Sequence, residues 1–155
     1  MKVHTLILCT LLLICNSVFA QEAIKENEIV NITCEDFLSR KDNLRMWLNE
    51  DPNAISYILV YEGKINYYNS KHDKSYSVYP HFGEAKEYIR TMKKWMTFSR
   101  FPLDKVVFVN AGFREKLTVE FWFVPNGATP PKPKPTLTKM KYRKGKPVSF
   151  CDGCC

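Results

Sequence analysis

Hydrophobic residues recur along this chain in two rhythms, and the change from one to the other outlines the fold. Residues 28–32 (EIVNI) alternate β-branched and polar positions, the period of a short strand. From Cys34 onward the period lengthens: Phe37, Leu38, Leu44, Trp47 and Leu48 share one helical face, while Arg40, Lys41, Arg45 and Asn49 lie elsewhere. Thr33 with Asp36 three residues later predicts a capping box at the start of this helix. Asp51-Pro52-Asn53 stops it near Glu50, because proline lacks the amide donor and biases its predecessor away from helix. Trp47 sits on the apolar stripe and reads as core.

Residues 55–61 (ISYILVY) are continuously apolar over a strand's length, which predicts a central strand covered on both faces, or on one face plus a partner. Glu62-Gly63-Lys64 is expected to end it. Residues 65–82 carry Tyr67, Tyr68, Tyr76 and Tyr79 among Lys, Asn and Ser, with a hairpin expected around residues 70–74. A connection of this length between regular elements is characteristically functional, so it is the first place to look for a binding loop. A second helix follows from near Gly83 to about Phe98, with Ala85, Tyr88, Ile89, Met92, Trp95 and Met96 at helical spacing. Residues 105–110 and 116–124 supply two more strands around Asn110-Ala111-Gly112, read as a turn. In the last strand Leu117, Val119, Phe121 and Phe123 face the helices, and Glu120 and Trp122 take a half-wet second face. The order strand–helix–strand–helix–strand–strand predicts an α+β two-layer sandwich: a sheet of about four strands with two helices on one face, in a βαβαββ arrangement.

The two ends of the chain read differently. Lys2, the apolar run at residues 6–14 and Val18-Phe19-Ala20 have the layout of a secretory signal cleaved after Ala20. The apolar run falls short of the roughly 20 residues a membrane span needs. Export therefore follows as the expectation, to the periplasm or beyond. Beyond Pro125 the chain becomes NGATPPKPKPTLTKMKYRKGKPVSFCDGCC, a Pro/Lys-rich tail expected to be extended and disordered. The expected division is thus a signal peptide at 1–20, an α+β domain at 21–125 and a basic tail at 126–155.

Charge sharpens that division. Residues 21–125 hold 15 Lys/Arg against 15 Asp/Glu, whereas residues 126–155 hold seven Lys/Arg against Asp152 alone. The positive charge of the protein belongs to the tail, which suits electrostatic contact with an anionic surface. A neutral folded body lacks the basic patch of a nucleic-acid-binding domain, and no specific nucleic-acid partner is expected. Removal of the signal leaves four cysteines: Cys34, Cys151, Cys154 and Cys155. In an oxidising compartment they read as disulfides or thiols, with the tail either pinned to Cys34 or paired within itself.

No catalytic constellation emerges. His72 and His81 both fall in the Tyr-rich segment without a partner at catalytic spacing, and no GxSxG, HExxH or P-loop pattern occurs. Cys151-Asp152-Gly153-Cys154 has CxxC spacing, which admits thiol-redox or metal-binding chemistry as the alternative function. No cofactor and no metal is otherwise implied. Asn31-Ile32-Thr33 matches a glycosylation sequon, relevant only in a eukaryotic secretory pathway.

Residues 52–64 (PNAISYILVYEGK) and 114–136 (REKLTVEFWFVPNGATPPKPKPT) resemble a family of exported bacterial proteins of unassigned activity. That family is marked by a Tyr-Ile-Ile-Val-Tyr-Gly-Gly strand, a Gly-Tyr-Arg-Glu turn, and a Leu-Trp strand running into Val-Pro and a Pro-rich tail. More distantly, the element order and Met92-Lys93-Lys94-Trp95-Met96 are similar to the OmpA-like peptidoglycan-anchoring domain. The Asp and Arg with which that domain binds diaminopimelate have no counterpart here, since Glu62-Gly63-Lys64 and Tyr88-Ile89 stand at the corresponding places. The resemblance implies the fold, and an envelope role with peptidoglycan or an envelope protein as partner. The expected function is a non-catalytic binding or structural one. Its candidate contacts are Glu62, Lys64, Tyr67, Tyr68, His72 and Tyr76, together with Arg114 and Glu115 in the expected turn.

Overall fold

One long strand, β2 (Ile55–Asn69), organises the sheet. The structure, a computed structural model, describes residues 21–69 and 71–151. The segment read as a signal, and Cys154 and Cys155, lie outside the described residues. Strand β1 (Ile24–Val30), β5 (Thr118–Val124), β2 and β4 (Val106–Lys116) lie side by side in that order. The β1–β5 and β5–β2 pairs are antiparallel, and β2–β4 is parallel. The far end of β2 pairs with β3 (Lys74–Val78) in an antiparallel hairpin, the fifth strand of a sheet expected to have about four.

Two local expectations change. Glu62-Gly63-Lys64 does not end the second strand, which runs on through register shifts against β4 at Glu62 and Lys64. Nor do residues 105–125 form a hairpin, because β4 and β5 flank β2 on opposite sides. Asn110-Ala111-Gly112 is an irregularity inside β4, with Gly112 at φ 91°, and the chain crosses to β5 at Lys116-Leu117. That crossing passes against Gly63: the Leu117 amide donates to the Lys64 carbonyl at 3.0 Å, and a Cβ on Gly63 would overlap the Lys116 and Leu117 backbone. Only glycine admits so close a backbone approach.

Helices α1 (Cys34–Glu50) and α2 (Glu84–Phe98) cover one face of the sheet. The Thr33 side chain accepts from the Asp36 amide at 3.2 Å and Asp36 accepts from the Thr33 amide at 3.0 Å, so the capping box forms as its spacing predicts. Phe37, Leu44, Met92 and Met96 meet Ile58, Val60, Val119 and Phe121 in the main core. Trp47 packs edge-on against Phe123 at 5.2 Å. Lys41, off the apolar stripe, is nonetheless buried, with Nζ 3.3 Å from Asp42. The long aliphatic stem of a lysine can cover apolar surface while its ammonium stays paired.

The second face of the sheet is covered by the tail. Leu59 and Tyr61 are fully buried there, packed with Ala111, Tyr57, Val109 and Trp122. Over them the Lys134 amide donates to the Tyr61 hydroxyl at 3.0 Å, and Pro135 lies 3.2 Å from the position a Gly112 Cβ would occupy. The Pro/Lys-rich segment is extended, as proline dictates, but it is laid on the domain and does not hang free. It turns the β4 edge where the Thr136 and Leu137 amides both donate to the Phe113 carbonyl. Further on, Arg143 donates to the Pro80 carbonyl, Tyr142 reaches Glu62, and Phe150 enters the helix layer between Phe37 and Tyr88. The belt ends in a disulfide between Cys151 and Cys34 at the first turn of α1, of the two tail arrangements the one pinned to Cys34.

Candidate functional site

From Ile65 onward β2 pairs with β3, and the hairpin so formed carries the aromatic residues singled out from sequence. Tyr67 and Tyr76 face each other across it, their rings stacked with centroids 5.8 Å apart and both side chains substantially exposed. Tyr68, on the other face, donates its hydroxyl to Asp73 at 2.6 Å. That bond to a carboxylate holds the phenol in its neutral form and raises its pKa. Asp73 itself sits at φ 48° in the turn, where His72 is exposed. The Lys64 ammonium lies over the ring of Tyr79 at 5.3 Å. Lys64, Tyr67, Tyr68, His72 and Tyr76 are thus gathered on or beside one projecting element. Glu115 is exposed and lines a shallow groove with Lys64 and Tyr79.

At the base of the hairpin, on its helix side, is a cavity of about 300 Å³. Thr33, Asn66, Tyr67, Tyr88 and Ser149 contribute to its lining, and among the described residues Glu84 is the only charged one there. Both Glu84 carboxylate oxygens accept from backbone amides, one from His81 at 2.9 Å and one from Val148 at 3.4 Å. The cavity therefore has one wall from the belt, which the disulfide holds in place.

Two of the expected contact residues do other work. Glu62 is buried; it accepts from the Ala85 amide at 3.1 Å and from the Tyr142 hydroxyl at 2.7 Å. Burial, then that hydrogen bond and the charge of Glu62, push the Tyr142 phenol up to about 12. Arg114 lies on the second face with its guanidinium 3.6 Å over the Tyr61 ring and Nη2 2.8 Å from Glu120. Glu120 also accepts from Trp122 at 3.0 Å and Tyr61 at 3.3 Å, and pairs with Lys25 at 3.3 Å. Burial alone would raise the Glu120 pKa, but the Arg114 and Trp122 hydrogen bonds and the charges of Arg114 and Lys25 outweigh it, so the carboxyl titrates below its ordinary range.

Sequence reading missed Glu84 and Tyr88 as site residues. Both look like ordinary members of an amphipathic helix, and only the belt's return path makes them line a cavity. Cys34 and Cys151 are joined and Cys151 is buried, so Cys151 is engaged with Cys34 and not with Cys154. Among the described residues no group of three or more His, Cys, Asp or Glu is placed to hold a metal ion, and no helix is long and apolar enough to cross a membrane. No protein-family model, curated protein or solved structure matches this chain.

Proposed function

We propose that this chain is an exported, non-catalytic envelope protein that contacts peptidoglycan through the β2–β3 hairpin. The observation that carries the reading is the exposed Tyr67–Tyr76 stack on a projecting hairpin, at the mouth of a cavity with a single, already bonded carboxylate. Exposed aromatic rings held by cross-strand pairing make a rigid contact platform at little entropic cost. A binding role is favoured over catalysis because Glu62, Glu84 and Glu120 each accept hydrogen bonds inside the protein, which leaves none of them poised as a general acid or base. Export is supported by the Cys34–Cys151 disulfide, since such bonds persist in oxidising compartments. The lysines of the belt remain exposed and add a salt-sensitive attraction to an anionic wall.

Sedimentation of the secreted chain with purified sacculi tests this. Retention at moderate salt, reduced by the pair Tyr67→Ala and Tyr76→Ala, is the expected result. Retention that vanishes with salt and ignores the tyrosines would leave only belt electrostatics and overturn the proposal. Recovery of a bound envelope protein in place of sacculi would turn it toward a protein partner.

A further inference from the structure

We infer that the cavity under the hairpin receives one neutral sugar ring, with further rings of the same glycan lying outward along Tyr67 and Tyr76. This deepens the proposed wall contact and rests on it. Size is the first argument: about 300 Å³ is at the small end of ligand sites, which run from about 300 to 1,000 Å³, and suits a single ring.

Charge is the second. The Thr33 and Ser149 hydroxyls are engaged with Asp36 and Thr91, and the Asn31 and Asn66 side-chain oxygens accept from the Asn66 amide and Ser77. That leaves the two asparagine NH2 groups as neutral donors, while among the described residues no Lys, Arg or His lines the cavity to attract an anion. Glu84 repels anions, and its two oxygens are already bonded to the His81 and Val148 amides, so it is not set to pair with a cation. Hydroxyl-rich neutral ligands remain.

The third argument is Tyr88. Its ring is buried, it lines the cavity, and among the described residues nothing donates to or accepts from its hydroxyl. That hydroxyl is not among the buried atoms left without a partner, so it keeps contact with solvent at the cavity, where a ligand hydroxyl or amide would take the place of water. The Tyr88 ring is meanwhile fixed by its stack on Phe150 at 4.6 Å, so the hydroxyl is presented in one place. At the mouth, the C–H faces of a pyranose suit the exposed ring of Tyr67, whose stack with Tyr76 at 5.8 Å extends the platform outward.

The test is titration of the secreted chain with the neutral tetrasaccharide of N-acetylglucosamine, followed by amide chemical shifts and calorimetry. Shifts at Asn31, Asn66 and Ser149 are expected. Tyr88→Phe keeps the ring stack and should weaken binding about tenfold, the usual effect of one lost hydrogen bond, while leaving the melting temperature close to wild type. Tyr76→Ala should weaken the tetrasaccharide more than the single sugar. Shifts confined to Tyr68 and Tyr76, or full affinity in Tyr88→Phe, would overturn the cavity site while the hairpin contact stands. Sacculi retained without any tetrasaccharide binding would do the same. Loss of both sacculus retention and tetrasaccharide binding would overturn the cavity and the wall contact together.

Discussion

Phe150 stacks on Tyr88 with ring centroids 4.6 Å apart and an interplanar angle of 24°. It also meets Phe37 edge-on at 5.9 Å. Because Phe37 belongs to α1 and Tyr88 to α2, the end of a segment rich in lysine and proline closes the seam between the two helices. Phe150→Ala should therefore lower stability by about 2 kcal/mol, less than the ~3–5 of a fully enclosed phenylalanine because the ring is only partly buried. Urea denaturation measures it. An unchanged midpoint with an unchanged slope would mean the belt lies on the domain without supporting it.

The disulfide should matter more than any single belt contact. Cys34 and Cys151 are 117 residues apart, so their bond closes nearly the whole described chain into a loop. Chain-entropy reasoning assigns a loop of that size about 4–5 kcal/mol, as destabilisation of the unfolded state. Cys34→Ser or Cys151→Ser is expected to lose most of that, seen as a lower denaturation midpoint than the oxidised wild type. Reductant should move the wild type to the same place and make residues 139–146, which are rich in exposed lysines, the first site of tryptic cleavage. Equal trypsin resistance with and without reductant would count against a disulfide-held belt.

The sequence carried local information well and long-range closure poorly. Helix α1 was legible to its boundaries because Thr33 and Asp36 form a cap through contacts three residues apart, and Pro52 marks its end. The central position of β2 was legible in its unbroken apolar run, which reflects burial on both faces. What covers the second of those faces was not, since proline and lysine spacing says that a segment is extended but not where it lies. The β4–β5 relationship failed for a related reason. Adjacent strands around Asn110-Ala111-Gly112 suggest a hairpin, and only the parallel pairing of β4 with β2 rules it out. At the site, the tyrosines of the hairpin could be found from composition, whereas Tyr88 and Glu84 became cavity residues through a belt that returns more than fifty residues later.

Gly63 gives the sharpest prediction about the backbone. Its neighbours in sequence look like a strand end, but the Lys116-Leu117 crossing presses against the place its Cβ would take. Both sides of that contact are main chain inside a hydrogen-bonded sheet, so neither can swing away as a side chain would. Gly63→Ala is expected to cost about 3 kcal/mol or more and to lower soluble yield. Gly127→Ala is a useful contrast: that residue has nothing within 4 Å of the Cβ position, and its strain comes only from φ 79°. A Gly63→Ala protein that melts with the wild type would show that the crossing has room to move.

Acid should loosen the second face of the sheet through Glu120. Glu120 titrates below its ordinary value of 4.5 in the folded protein, because Arg114, Trp122 and Lys25 favour its carboxylate over the burial that opposes it. For a depressed carboxyl the stabilising contribution is complete above the unfolded value and is lost as pH falls through the folded one. Stability should accordingly be level in pH near neutrality and begin to fall below about 4.5 as protons bind the unfolded chain more readily. Glu120→Gln removes this group from the titration, so the variant should be less stable at neutral pH and show a shallower decline in acid. Glu120→Ala should cost about 3 kcal/mol at neutral pH, since it leaves Arg114 over the Tyr61 ring without its nearest anion. Denaturant midpoints measured across the acid range for wild type and Glu120→Gln settle the point: parallel curves would place the acid sensitivity in some other carboxylate, whereas convergence of the two curves at low pH would assign it to Glu120.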